Sequence, residues 1–196
     1  MASNLKIKKF VVGPLFTNCY LVYSKNKGII IDPGGFPDEI LDFIEKNKIK
    51  IDYIINTHYH SDHTFANNFL KEKTKAKIAI YELEKDYIKF PVDKFLTDGE
   101  KIIIGNESLE VFHTPGHTKG SICLFGKNLV FSGDTLFKEE FGRTDLLGGS
   151  EKELQNSLNL LSNKIKEGTI IYPGHGESFV FKKDILNKKG RQSGFK

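Results

Sequence analysis

Residues 57–64 read THYHSDHT, and the architecture can be worked outward from them. The chain has six histidines in 196 residues, yet His58, His60 and His63 fall together here with Asp62. Side chains two apart in an extended chain project to the same side, so the rings of His58 and His60 can chelate one ion. Asp62 and His63 follow the point where the chain turns into a helix, so they aim elsewhere and suggest a second ion beside the first. Upstream, Ile51–Thr57 (IDYIINT) is rich in β-formers and reads as a buried strand that carries the cluster at its C-terminal end. Downstream, Ser61 or Asp62 can cap a helix over His63–Lys71.

The same pattern recurs along the chain. GIIIDPG runs into Asp32, LEVFHTPGHT into His117, NLVFSGD into Asp134 and TIIYPGH into His175. Polar groups on loops held by rigid strands at one edge of a layered fold are the usual anatomy of a site. Imidazole and carboxylate together suit zinc, iron or manganese. His117 can complete the first site and His175 the second, with Asp134 bridging both through its two oxygens. Two ions about 3.5–4 Å apart share a water and lower its pKa toward neutrality. His113, four residues before His117 and inside a strand, reads as structural or as a support behind the metal ligands rather than as a ligand.

The remaining elements are mixed. Pro37–Asn47 and Glu151–Leu161 have helical apolar spacing, and Asp98–Phe112 reads as a hairpin turning at Gly105-Asn106. LKIKKFVVG, CYLVYS, KIAIY and SICLFG add short strands. Strands interleaved with helices and hairpins predict an α/β (α+β) fold of two sheets with helices outside them. A single domain is expected over residues 1–187, with a flexible tail over 188–196.

Bulk composition narrows the classes. An apolar fraction of 39% with 16 Phe and 7 Tyr is enough to build a core. The net charge of +4 comes from lysines that are scattered, apart from Lys182–Lys196, so no nucleic-acid partner is expected. The mild positive balance suits a small anionic substrate. Cys19 and Cys123 each lie in an apolar run and read as buried thiols of a reducing compartment. MASNLKIKKF lacks the apolar stretch of a secretory peptide, and no segment approaches about 20 apolar residues. A cytoplasmic protein without membrane contact is therefore expected. Oligomeric state is left open.

THYHSDH, TPGHT, SGDTLF and PGHG, in that order, resemble the motifs of the metallo-β-lactamase superfamily over roughly residues 5–180. The resemblance implies a four-layer αββα sandwich with the metals at one edge of the sheets. It is nearest to the short, single-domain glyoxalase II-like (hydroxyacylglutathione hydrolase-like) members. Phe141–Ser150 (FGRTDLLGGS) resembles their GRxDxxGG loop, and Asp134 in SGDTLF distinguishes the chain from true β-lactamases. The resemblance implies His58, His60 and His117 as first-site ligands. It implies Asp62, His63 and His175 at the second site, with Asp134 bridging. Two divalent ions are implied, zinc foremost, with iron or manganese as alternatives.

The implied activity is hydrolysis of a small thioester such as S-hydroxyacyl-glutathione by a metal-bridging hydroxide. Asp62 and Asp134 are its catalytic carboxylates, with Asp62 a proton acceptor. Arg143 lies where such enzymes carry a glutathione-contacting base, and Lys119 borders the His117 loop; both are substrate-binding candidates, although Arg143 also reads as a structural partner of Asp145 or another acid and Lys119 as a solvated side chain. Two departures stand out. Only 21 residues follow His175, too few for the helical glutathione-binding domain of full-length glyoxalase II. The last His is followed by Gly176-Glu177-Ser178 rather than Glu-Tyr. Competing readings are a persulfide dioxygenase with one iron on His58, His117 and Asp134, and a lactone or ester hydrolase on the same metals. A non-catalytic metal module fits less well, because structural zinc sites are closed and rich in Cys.

Overall fold

The computed structural model describes residues 4–187 and 191–192. The first sheet is built of β1 (Lys6–Val12), β2 (Thr17–Ser24), β3 (Lys27–Ile31), β4 (Lys50–Ile55), β5 (Lys77–Tyr81) and β6 (Lys94–Leu96), in that spatial order. The second contains β7 (Lys101–Ile104), β8 (Glu107–His113), β9 (Ile122–Gly126) and β10 (Leu129–Gly133). After the short β11 (Glu140–Phe141) come β12 (Ile170–Pro173) and β13 (Phe179–Val180), and the sheet order is β13-β12-β10-β9-β8-β7. β1, β2 and β3 are antiparallel, whereas β3 to β6 run parallel.

The layers follow from alternation along the strands. Inner-face residues of both sheets, among them Ile29, Ile31, Ile55, Val111, Leu124 and Phe131, pack into one core between the sheets. The outer face of the first sheet buries Leu21, Ile30, Ile54 and Ile78 against Ile40, Ile44 and Leu70 of α1 (Asp38–Lys46) and of the later helix Asn67–Thr74. The outer face of the second buries Cys123, Val130 and Ile171 against Leu154, Leu158 and Leu161 of Glu151–Lys164. The result is the expected four-layer αββα sandwich. Cys19 and Cys123 are buried free thiols in different outer cores.

The hairpin turns at Gly105-Asn106 as expected, with Gly105 at φ +63°, the glycine-first form of a two-residue loop. The helix after the His cluster differs from expectation. The chain makes one turn, α2 (Ser61–Thr64), breaks at Phe65-Ala66 and resumes as α3 (Asn67–Thr74). Neither Ser61 nor Asp62 caps it; His60 holds the cap position without a side-chain bond. The reason is a pair of buried amides. Asn56 Nδ2 donates to the His63 carbonyl and to Asn67, while Asn67 Nδ2 donates back to Asn56. The turn is thereby tied to the end of β4, and Asp62 is released to face the site. The helix Glu151–Lys164, α4, is capped by Ser150, whose hydroxyl accepts from Glu153 N. Among the described residues no helix is long and apolar enough to cross a membrane. The tail expected over 188–196 lies, but for 191–192, outside the described residues.

Candidate metal centre

Each polar strand end reaches the same edge of the sandwich. Asp32 follows β3, His58 follows β4, His117 lies beyond β8, Asp134 follows β10 and His175 follows β12. Three overlapping donor groups result: His58, His60 and His117; His58, His63 and Asp134; and Asp62, His63 and His175. Within each group the donor atoms lie within 4.8 Å of one another. Asp134 sits between the outer two. Its Oδ2 lies 3.7 Å from His117 Nε2 and 3.5 Å from His175 Nε2, while Oδ1 lies 3.5 Å from His63 Nε2. Asp62 Oδ2 is 3.5 Å from His63 Nε2 and 3.3 Å from His175 Nε2, and accepts from Thr17 Oγ1 at 3.2 Å.

The outward nitrogens reveal the tautomers. His117 Nδ1 meets the Arg143 carbonyl at 2.8 Å, and His175 Nδ1 meets the Leu15 carbonyl at 3.0 Å. A carbonyl only accepts, so both Nδ1 atoms carry hydrogen and each ring turns Nε2 inward, the nitrogen that offers a lone pair to a metal once it is free of its proton. His63 Nδ1 stands 3.0 Å from Asp32 Oδ2, off the line of a hydrogen bond. Asp32 is itself fixed by Thr57, whose N and Oγ1 donate to its two oxygens at 2.8 and 2.7 Å. Such outer carboxylates and carbonyls orient metal-binding imidazoles.

The donor set fits divalent cations. His60 Nδ1 and His117 Nε2 lie 3.0 Å apart, and His63 Nε2 and His175 Nε2 lie 3.3 Å apart. Inward lone pairs this close repel unless a proton or a cation lies between them. His58 Nε2, His60 Nε2 and Asp134 Oδ1 are buried with no hydrogen-bond partner among the described residues, a costly state for a polar atom without a ligand. The backbone leaves room as well: a Cβ on Gly174 would lie 2.1 Å from Asp134 Oδ1 and 2.8 Å from His63 Cε1.

Protonation divides the cluster in two. Burial, reinforced by the neighbouring imidazoles, holds His58 well below the usual histidine range and brings His60 to about 4. Burial lowers His117 too, against the pull of Asp134. These rings are neutral and ready to ligate near pH 7. At the second group burial again pushes downward, but carboxylates win. Asp134 and Asp32 raise His63, and Asp134 and Asp62 raise His175 to about 9. Without a metal, protons hold the second group.

Three other residues weighed from the sequence fall outside the donor groups. His113 stacks on Tyr81 at 4.4 Å, and its Nε2 bonds the Lys119 carbonyl at 2.9 Å, outside every donor group. Arg143 makes a two-pronged pair with Asp145, Nε and Nη2 each donating at 2.7 Å. Lys119 has an exposed side chain. One residue escaped sequence reasoning. Glu84, fully buried, accepts from Tyr59 N at 3.0 Å, Thr118 Oγ1 at 2.8 Å and Gly120 N at 2.5 Å. It ties the His58–His60 loop to the His117 loop, and its burial pushes its carboxyl upward.

Known proteins bear on this geometry. The family model of the metallo-β-lactamase superfamily matches residues 12–175. A probable metallo-hydrolase of Methanocaldococcus jannaschii is 38% identical over 182 residues, covering 82% of this chain and 88% of that one. A hydroxyacylglutathione hydrolase of Pelagibacter ubique is 37% identical over 160 residues, covering 80% of this chain and 65% of its own. Among solved structures, the BLEG-1 B3 metallo-β-lactamase superposes with TM-score 0.83 at 28% identity, covering 89% of this chain and 94% of its own. TTHA1623 in a di-iron-bound form gives 0.82 at 28%, covering 93% and 98%. ETHE1 from Myxococcus xanthus gives 0.82 at 25%, covering 94% and 81%. A family model spanning the metal cluster, metallo-hydrolase relatives and an αββα sandwich with its donors at one edge agree: this chain belongs to the metallo-β-lactamase superfamily.

Proposed function

We propose that the protein is a dinuclear metal hydrolase of small thioesters. The observation that carries this reading is Asp134, whose carboxylate lies within 3.7 Å of imidazoles from both outer donor groups. One carboxylate shared between His58, His60, His117 and Asp62, His63, His175 suits two adjacent ions rather than one. Divalent ions there supply a water acidified toward neutral pH and a Lewis acid for the thioester carbonyl.

The chain's own groups do the rest. Asp62 is the proton acceptor. Burial pushes its carboxyl up, but the bond with His175 and the charge of His63 bring it below its usual value, so it is an anion at neutral pH. The Thr17 hydroxyl, donating at 3.2 Å, holds it in place. A cavity of about 430 Å³ opens beside His175, with Leu15, Phe16 and Phe137 as apolar walls. It receives the acyl group against those apolar side chains. A thiolate leaves readily, so a strong general acid is dispensable.

The relative named hydroxyacylglutathione hydrolase supports the thioester class. The pairing of Arg143 with Asp145, and of Lys138 with Glu177 at 3.0 Å, leaves those cations committed. Metal analysis with a panel of acyl thioesters, lactones and esters tests the reading. Two metals per chain and metal-dependent thioester turnover are expected. Doubly loaded protein that cleaves no thioester refutes the substrate class, and one iron per chain with oxygen uptake refutes the hydrolase.

A further inference from the structure

The parallel topology assembles a feature that lies scattered in the sequence. Strands β3, β4, β5 and β6 run side by side in one direction, and they begin with Lys27, Lys50, Lys77 and Lys94. Their C-terminal direction leads to the metal centre, so these lysines mark the other end of the same sheet. Three of them stand on its inner face. Lys77 is level with Tyr53, and Lys94 with Ala79, both packed with the core between the sheets. Lys27 precedes the inner-face Ile29 by two residues. Inner-face positions of a sandwich are ordinarily apolar.

Here they surround a cavity of about 600 Å³, within the size range of small-molecule sites. Ile55, Ala79, Leu96 and Ile102 form its apolar floor, and Lys101, on the exposed face of the edge strand β7 across from Glu110, adds a fourth ammonium at the rim. Lys27 pairs with Asp52 at 3.4 Å, and Lys94, whose ammonium lies over the Tyr53 ring, pairs with Glu100. Lys77 and Lys101 have no carboxylate at ion-pairing distance among the described residues. Four lysines thus meet the carboxylates of Asp52 and Glu100 around the mouth, which leaves its balance positive above an apolar base.

We propose that this cavity binds an amphipathic anion, a medium-chain alkyl or aryl carboxylate, at a site separate from the metal centre. The head lies between Lys77 and Lys101, and the tail lies on Ile55, Ala79 and Leu96. The lysines are point charges without the fixed fork of arginine, so they attract an anionic head by charge, and the floor supplies the rest of the affinity. The inference does not depend on the reaction assigned to the metals.

The test is calorimetric titration of the metal-loaded chain with decanoate, with inorganic phosphate and with a decyl trimethylammonium salt. Saturable binding of decanoate at one per chain is expected, with the phosphate and the cationic amphiphile at least about tenfold weaker. The exposed double variant Lys77→Glu/Lys101→Glu, its fold checked by circular dichroism, should weaken decanoate by about tenfold or more. Leu15→Ser/Phe16→Ser beside the metals should leave it unchanged. Phosphate binding as tightly as decanoate, full affinity in the lysine variant, or loss of decanoate only in the Leu15/Phe16 variant each overturns the proposal.

Discussion

Replacing Glu84 tests how the two ligand loops are held together. Its Oε2 accepts from Tyr59 N, and its Oε1 accepts from Thr118 Oγ1 and Gly120 N. In Glu84→Ala the Thr118 hydroxyl can turn to Ser121 Oγ, 2.8 Å away, and Tyr59 N is only part-buried. Gly120 N is buried and is left orphaned. An orphaned buried donor costs about 1–3 kcal/mol, and a second weakened bond about 1 kcal/mol more. Relief from burying a carboxylate offsets part of this, so a net loss of about 2–3 kcal/mol is expected, or about 4–12 °C in Tm for a chain of this size. Glu84→Gln is gentler and more specific. Its amide oxygen serves the paired donors of Thr118 and Gly120, which turns the amide nitrogen against Tyr59 N. Only the loop between His58 and His60 then loosens, at about 1.4 kcal/mol or tenfold in first-site metal affinity. Thermal denaturation of the metal-free chain and chelator competition on the loaded chain measure the two effects. If both variants match wild type in Tm and in metal affinity, Glu84 does not position the ligand loops and the reasoning fails.

In the chelated protein, His175 has its pKa raised from 6.5 to about 9, against burial, by Asp134 and Asp62. A raised histidine contributes stability that is complete below 6.5 and is lost as pH climbs through about 9. The metal-free Tm should therefore fall across that window, and His175→Gln should flatten the fall; a Tm that rises there contradicts the assignment. Metal binding near pH 7 should release protons from His63 and His175, read as a dependence of calorimetric heat on buffer ionisation; identical heats in all buffers count against it. Gly174→Ala places a methyl group against Asp134 and His63, so metal content should drop below one ion per chain while circular dichroism stays native; full metal content would show that the backbone yields. His58→Ala should abolish metal-dependent turnover, and His113→Ala, which removes a ring stacked on Tyr81, should retain most of it. Equal losses would place the donor set elsewhere.

The layered class and the donor set were legible because strands advertise themselves locally. Alternation and β-branched runs mark β3, β4, β8, β10 and β12, and a histidine or aspartate just past each end is conspicuous in a chain with six histidines. Glu84 was not legible. It sits in YELEKD, where Glu82 has the same local character, and only packing against the His117 loop distinguishes them. For Arg143 the loop left two readings, a substrate contact or a partner for Asp145, and only the fold shows the pair with Asp145 at the surface. The break between α2 and α3 depends on Asn56 and Asn67, eleven residues apart, meeting in the interior.

By itself, the sequence determined which side chains stand at the ends of which strands, because side-chain alternation and turn chemistry act over a few residues. Only the tertiary structure decided which of those ends meet. Asp134 reaches two imidazole groups, Glu84 is sealed between two loops, and lysines from residues 27 to 101 face one cavity. Those meetings are set by how two sheets stack and by which strands run parallel, and that choice is made by the summed burial of a whole core rather than by any local segment.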